Sequence, residues 1–167
     1  TDPVFVFFFA GARAPHWQPQ AQGSLTGISL ATDRADVARA IYAGLAMSLR
    51  DIVETIEACG ARVRSVRLAG GLSRSQGLAQ MKADMLGRPV TVMAESELTT
   101  QGLLAVGVTT LGAFADIQSA ARALEASGVT YAPRLPSGVT TALFARYLEA
   151  VEDSLALTRK EPECGQA

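Results

Sequence analysis

The segment from Val63 to Gly87 constrains the fold more than any other stretch of the chain. Val63 to Ala69 reads as a strand. It breaks at the turn Gly70-Gly71-Leu72-Ser73-Arg74, and a helix from Ser75 to Leu86 then carries Leu78, Met81, Met85 and Leu86 on one side until Gly87 and Pro89 stop it. A strand that passes through two glycines into a helix is one unit of an α/β layer, because the apolar stripe of the helix must pack back onto a sheet.

The rest of the chain extends this pattern. Val4 to Ala10 is an apolar, aromatic run that reads as a buried strand, too short for a membrane span and without signal-peptide flanks. An opening of this kind suggests a piece of something longer. Residues 11–23 form a loop with Pro15 and Pro19, and Ser24 to Leu30 is a short second strand. A long helix follows, capped by Thr32 or Asp33 and ended at Gly60, with Val37, Ile41, Leu45, Leu49, Ile52 and Ile56 as its apolar stripe. Its small residues Ala40, Ala43, Gly44 and Ala46 point to close packing on another element. Beyond Val90 to Met93, a short strand, helices are expected from Glu97 to about Leu111, from Asp116 to Ala126 with Gly128 closing it, and from a Ser137 cap onward. The last carries Leu143, Tyr147, Val151 and Leu155 on its buried face; Tyr131 to Pro136 reads as a loop. The expected domain is 1–160, with a frayed tail over 161–167.

Composition narrows the function classes. A chain of 167 residues suits one domain, able to bury about 70% of its unfolded surface. Its net charge of −1, without a run of like charges, argues against nucleic acid or an acidic membrane as partner. Cys59 and Cys164 make no disulfide framework, so a reducing, cytoplasmic setting is the expectation. One histidine, His16, and scattered carboxylates offer no His/Cys metal cluster; His16 itself reads as structural.

Gly70 and Gly71 lie where ligands of open α/β sheets bind, beyond the carboxyl end of a strand. Glycine lets backbone approach a flat or charged ligand, and the helix that follows presents free N–H groups and a positive dipole end. Ser73 and Ser75 can cap that helix or bond a ligand, and Arg74 can meet a phosphate or lie over a ring. The same residues also allow a plain tight turn with Ser75 as its cap, and the pattern alone leaves both readings open. No Gly-Lys-Ser/Thr follows, so this is not a P-loop, and the G-x-G-x-x-G spacing of a dinucleotide-binding oxidoreductase is absent.

Several stretches in order resemble the C-terminal domain of the FGGY carbohydrate kinases, members of the actin-like ATPase superfamily. Gly11-Ala12-Arg13-Ala14-Pro15-His16-Trp17 resembles the family's Gly-Glu-Arg-x-Pro loop, and Gln18 to Gly23 its Asp-Pro-x-Ala-Arg-Gly continuation. Arg39 to Ala46 resembles its Arg-Ala-x-x-Glu-Gly-x-Ala helix. Leu68 to Ser75, with Gln80, Ala83-Asp84 and Leu86 to Val90, is similar to its second signature, and Glu97 and Gly102 fit the helix beyond. The similarity covers about residues 4 to 115, and the Gly11–His16 loop looks nearest to xylulokinases.

The resemblance implies a ribonuclease-H-like α/β domain with a mixed sheet flanked by helices. It implies an ATP-dependent kinase of sugars or polyols, with a pentulose as the expected substrate, ATP and Mg2+ as cofactors and the sugar held by a preceding N-terminal domain. Gly70, Gly71, Ser73, Arg74 and Ser75 would be the nucleotide-binding residues, the two glycines lying against adenine and ribose. No catalytic residue and no metal ligand is assigned: Asp2 matches no motif, while Asp51 and Asp84 fall inside helices where surface or capping roles are expected. The family's glutamates are replaced at Ala12 and Ala43, and Gln18 and Gln22 stand for its aspartate and arginine, which keeps as the alternative a non-catalytic nucleotide-binding or dimerising remnant, with a homodimer as its expected assembly.

Overall fold

A computed structural model describes residues 2–94, 98–125 and 127–160. The expected helix start at Glu97 and the tail over 161–167 lie outside them. The elements run β1 (Val4–Val6), β2 (Ser24–Thr26), α1 (Arg34–Ala58), β3 (Val66–Leu68), a single 3-10 turn (Gly71–Arg74), α2 (Gln76–Leu86), β4 (Val90–Met93), α3 (Leu98–Thr110), α4 (Ile117–Ala123), β5 (Gly128–Tyr131) and α5 (Ser137–Lys160).

Two sheets result. β1 and β2 pair antiparallel, Phe5 opposite Leu25. β3 pairs parallel with β4, Arg67 opposite Thr91, and β4 pairs antiparallel with β5, Thr91 opposite Thr130. The second sheet is therefore mixed, as expected, but its third strand was not foreseen. Gly128 does not close the helix before it: α4 ends at Ala123, and Gly128 opens β5 where a Cβ would press on the Val92 carbonyl. Asp116 caps α4, its Oδ1 accepting from the Ser119 N–H at 2.7 Å.

The opening apolar run pairs only over Val4–Val6, because β2 offers three residues. Phe5, Val6 and Phe8 are buried, whereas Phe7 and Phe9 are exposed. The Phe5, Phe7 and Phe9 rings meet with centroids 4.9–6.4 Å apart, Phe9 edge to face with the other two and Phe5 tilted on Phe7. The loop after them is tied into a hairpin, Ala12 and Gln18 exchanging backbone hydrogen bonds of 2.9 and 2.8 Å.

α1 is capped by Asp33, whose side chain accepts from Ala35 and Asp36 N–H while Asp36 bonds back to the Asp33 N–H. Its buried face is not the expected stripe. Ala40, Gly44, Ala46, Met47 and Val53 are buried, while Ile56 is exposed and Val37, Ile41, Leu45, Leu49 and Ile52 are only half-buried. Packing distance explains the rotation. At Gly44 a Cβ would overlap the carbonyl oxygen of Phe5, so the helix axis rides directly over β1 and the larger side chains flank that contact. α5 buries Phe144, Tyr147, Val151 and Leu155 against the same sheet.

A first core joins Val6, Phe8, Met47, Met85, Phe144, Tyr147 and Val151; a second joins Val53, Ala83, Leu86 and Val90 beneath the three-stranded sheet. Val6, Val90 and Val151 are fully enclosed, each stabilising by about 1.5–3 kcal/mol relative to exposure. Arg50 links the elements between the cores. Its Nη1 donates to the carbonyls of Met85 and Thr140, both at 3.2 Å, and its guanidinium lies 4.3 Å from the Phe144 ring centroid. By contrast, α3 packs on α4 and leaves Leu103, Leu104 and Val106 exposed.

Candidate nucleotide site

β3 ends at Leu68, and the backbone turns at Gly70 with φ 90° and ψ 179°. A positive φ of this size strains an L side chain, which is why glycine stands there. The 3-10 turn from Gly71 hands over directly to α2, with Ser75 ending one and capping the other: its Oγ accepts from the Leu78 N–H at 3.3 Å. The first turn of α2 thus presents backbone N–H groups toward the end of the strand pair.

Because β3 and β4 are parallel, their carboxyl ends share one edge. A cavity of about 380 Å³ opens there, lined by Ser73, Arg74 and Gln76, by Val92 to Ala94 at the end of β4, and by Val129 and Tyr131 of β5. A second hollow of about 360 Å³ adjoins it through Gln76 and Tyr131 and reaches Gln80, Asp84 and Arg134.

The five residues singled out from sequence fall into three situations. Gly70 and Gly71 face open space, for a Cβ on either meets no atom within 4 Å. Ser73 and Arg74 line the cavity, but the Ser73 hydroxyl is buried and spent on the Gly70 carbonyl at 2.6 Å, holding the turn closed. Ser75 is the helix cap. Sequence reasoning missed Val129, Tyr131 and the β4 end; the β-branched and aromatic run Val129-Thr130-Tyr131 was the available signal.

Two carboxylates also need correction. Asp84 is neither surface nor cap: it is buried, and its Oδ1 accepts from the Arg134 backbone N–H at 2.6 Å and from Gln80 Nε2 at 3.0 Å. Asp51 turns inward, its Oδ2 2.8 Å from His16 Nε2. Both are committed to neighbours within the fold. Among the described residues no three His, Cys, Asp or Glu gather as a metal site. The geometry suits a nucleotide, since the glycines leave its path open and the cavity lies beside them.

The family description "FGGY family of carbohydrate kinases, C-terminal domain" matches residues 1–111. Similar curated proteins include a glycerol kinase of Bordetella parapertussis, 34% identical over 100% of this chain and 33% of its own length, and one of Thermus brockianus, 32% identical over 89% and 30%. This chain spans about a third of the length of these relatives. Similar solved structures are the xylulose kinase of Lactobacillus acidophilus, with a TM-score of 0.80 at 24% identity over 92% of this chain and 31% of that one, and the Plasmodium falciparum glycerol kinase with ADP, with a TM-score of 0.77 at 24% identity over 93% and 31%. The fold is the actin-like ATPase fold of these kinases. With a family match over two thirds of its length and the strand–Gly–Gly–helix unit in place, the chain belongs to the FGGY family of carbohydrate kinases, to its C-terminal domain.

Proposed function

We propose that this chain is the nucleotide-binding half of an ATP-dependent carbohydrate kinase, which passes the terminal phosphoryl group of ATP to a hydroxyl of a sugar or polyol. The observation that carries the reading is the open approach to Gly70 and Gly71 at the carboxyl end of β3, beside the cavity lined by Ser73, Arg74 and Tyr131. When bound, ATP supplies the transferable phosphoryl group. The chain's own contribution is positioning: flat glycine backbone for the adenine and ribose, Ser73 locking the turn, and Ser75 fixing the start of α2.

The same reading makes this chain inactive by itself. Asp84 is committed to Arg134 and Gln80, Asp51 lines a cavity at the β1 end rather than the nucleotide cavity, and the sugar is assigned to an N-terminal domain. A pentulose is the proposed substrate on the strength of the Gly11–His16 loop; the glycerol kinases similar in sequence make glycerol its competitor. The reading carries a cytoplasmic location with it; no helix among the described residues is long and apolar enough to cross a membrane.

Calorimetric titration of the chain with ADP, ATP and NAD tests the nucleotide assignment. ADP and ATP are expected to bind and NAD to bind more weakly; tighter binding of NAD would overturn it. Turnover of xylulose or glycerol by the pure chain would overturn the division of labour.

A further inference from the structure

A cavity of about 250 Å³ lies beneath the opening aromatic run, at the β1 end of the molecule rather than the β3–α2 end. Phe8 and Phe9 form its apolar wall, and Arg13, His16, Asp51 and Tyr147 bring polar groups to it. Tyr147 is 2% exposed and lies stacked on Phe144, and its hydroxyl, without a hydrogen-bond partner among the described residues, opens on the cavity rather than being sealed in the core. A phenol that opens on a cavity can donate to whatever occupies it. Burial, and then the negative charge of Asp51, push the Tyr147 phenol up from its usual range, so it stays a protonated donor and sits close to that carboxylate. Asp51 uses Oδ2 on His16 and leaves Oδ1 without a partner among the described residues. Arg13 and the exposed Phe9 stand at the rim.

We propose that this cavity is a second small-molecule site whose ligand is a neutral polyol, with Tyr147 and Asp51 bonding its hydroxyl groups and Phe8 and Phe9 covering its carbon face. The volume suits a molecule of a few carbons. One cation and one anion in the lining cancel, which favours a neutral ligand over a phosphate. A polyol supplies both an acceptor for the Tyr147 hydroxyl and a donor for Asp51 Oδ1, and its C–H face suits an aromatic wall.

The site stands apart from the nucleotide reading, and its test separates the two. Xylitol and glycerol are titrated into the isotope-labelled full chain and followed by backbone amide resonances. The expected result is saturable shifts at Phe9, Arg13 and His16 in the millimolar range, with Gly70 to Ser75 unmoved. Tyr147→Phe, which keeps the ring and its packing, is expected to fold normally and to weaken xylitol binding about fivefold to tenfold. No shifts, non-saturating shifts, shifts confined to Gly70–Ser75, or equal affinity in Tyr147→Phe would each overturn the proposal and leave the cavity to water.

Discussion

The Asp84 carboxylate, inside α2, receives the backbone N–H of Arg134 at 2.6 Å. One buried oxygen thus fixes the chain where it leaves β5, and Gln80 ties the same stretch by donating to the Ala132 carbonyl at 2.8 Å. Since β5 supplies Val129 and Tyr131 to the candidate site, this bond sets the far wall of the cavity. Asp84→Ala strands the partly buried Arg134 N–H and is expected to cost about 1–3 kcal/mol, with Asp84→Asn costing about 1 kcal/mol or less because it keeps an acceptor without the charge. Chemical denaturation measures both. If the alanine variant is as stable as the parent, the bond does not hold β5.

Gly44 is the point where α1 touches β1. A Cβ there would collide with backbone, the Phe5 carbonyl, rather than with a side chain that could swing aside. Gly44→Ala is therefore expected to destabilise by the upper part of about 1–3 kcal/mol despite the better helix propensity of alanine. Thermal denaturation beside Gly77→Ala, whose Cβ would meet only Tyr42 at 4.0 Å, provides the contrast. Equal melting temperatures for the two would remove the close-approach account.

What the sequence revealed and concealed follows from this geometry. Leu78, Met85, Tyr147, Val151 and Leu155 were legible as core because their helices obey the 3.6-residue period and bury their widest side chains. On α1 the same rule chose the wrong line, since contact with β1 is made by Gly44 and its small neighbours, and size rather than hydropathy set the face. β5 was hidden because its four residues follow a helix and run into prolines, and its pairing with β4 is a non-local fact. The Gly70–Ser75 loop was legible because φ and capping demands are local. That Ser73 spends its hydroxyl inside the turn, and that Asp84 and Asp51 point inward, depended on partners 3 to 50 residues away.

Arg88 grips Glu57 with two nitrogens on two oxygens, at 2.9 and 3.0 Å, and closes the connection between α1 and the second core. The hydrogen bonds and charge of Arg88 hold the Glu57 carboxyl below its ordinary value of 4.5. The folded pKa is depressed, so the stabilisation is complete above the unfolded value and fades as pH falls through the folded one. Glu57→Gln is expected to melt below the parent at neutral pH, and the gap is expected to close as the medium is acidified below 4.5. A gap that persists unchanged in acid would mean that charge is not its source.

Gly70 and Gly71 stand side by side but answer to different constraints. Gly70 has φ 90°, so Gly70→Ala strains the backbone although nothing crowds the new methyl group, and a loss of about 1–2 kcal/mol is expected. Gly71 lies in the 3-10 turn with open space where its Cβ would be, so Gly71→Val is expected to leave stability within about 0.5 kcal/mol. That same space is the proposed path of the adenine and ribose, and the valine is expected to weaken ADP binding about tenfold or more. Ser73→Ala separates turn from contact: it removes the bond to the Gly70 carbonyl, and is expected to lower stability by about 1 kcal/mol while affecting ADP less than Gly71→Val does. Denaturation and calorimetry on the three variants decide the matter. A folded Gly71→Val chain that binds ADP as the parent does would take the nucleotide away from these glycines, because a side chain placed in an occupied path has to be felt.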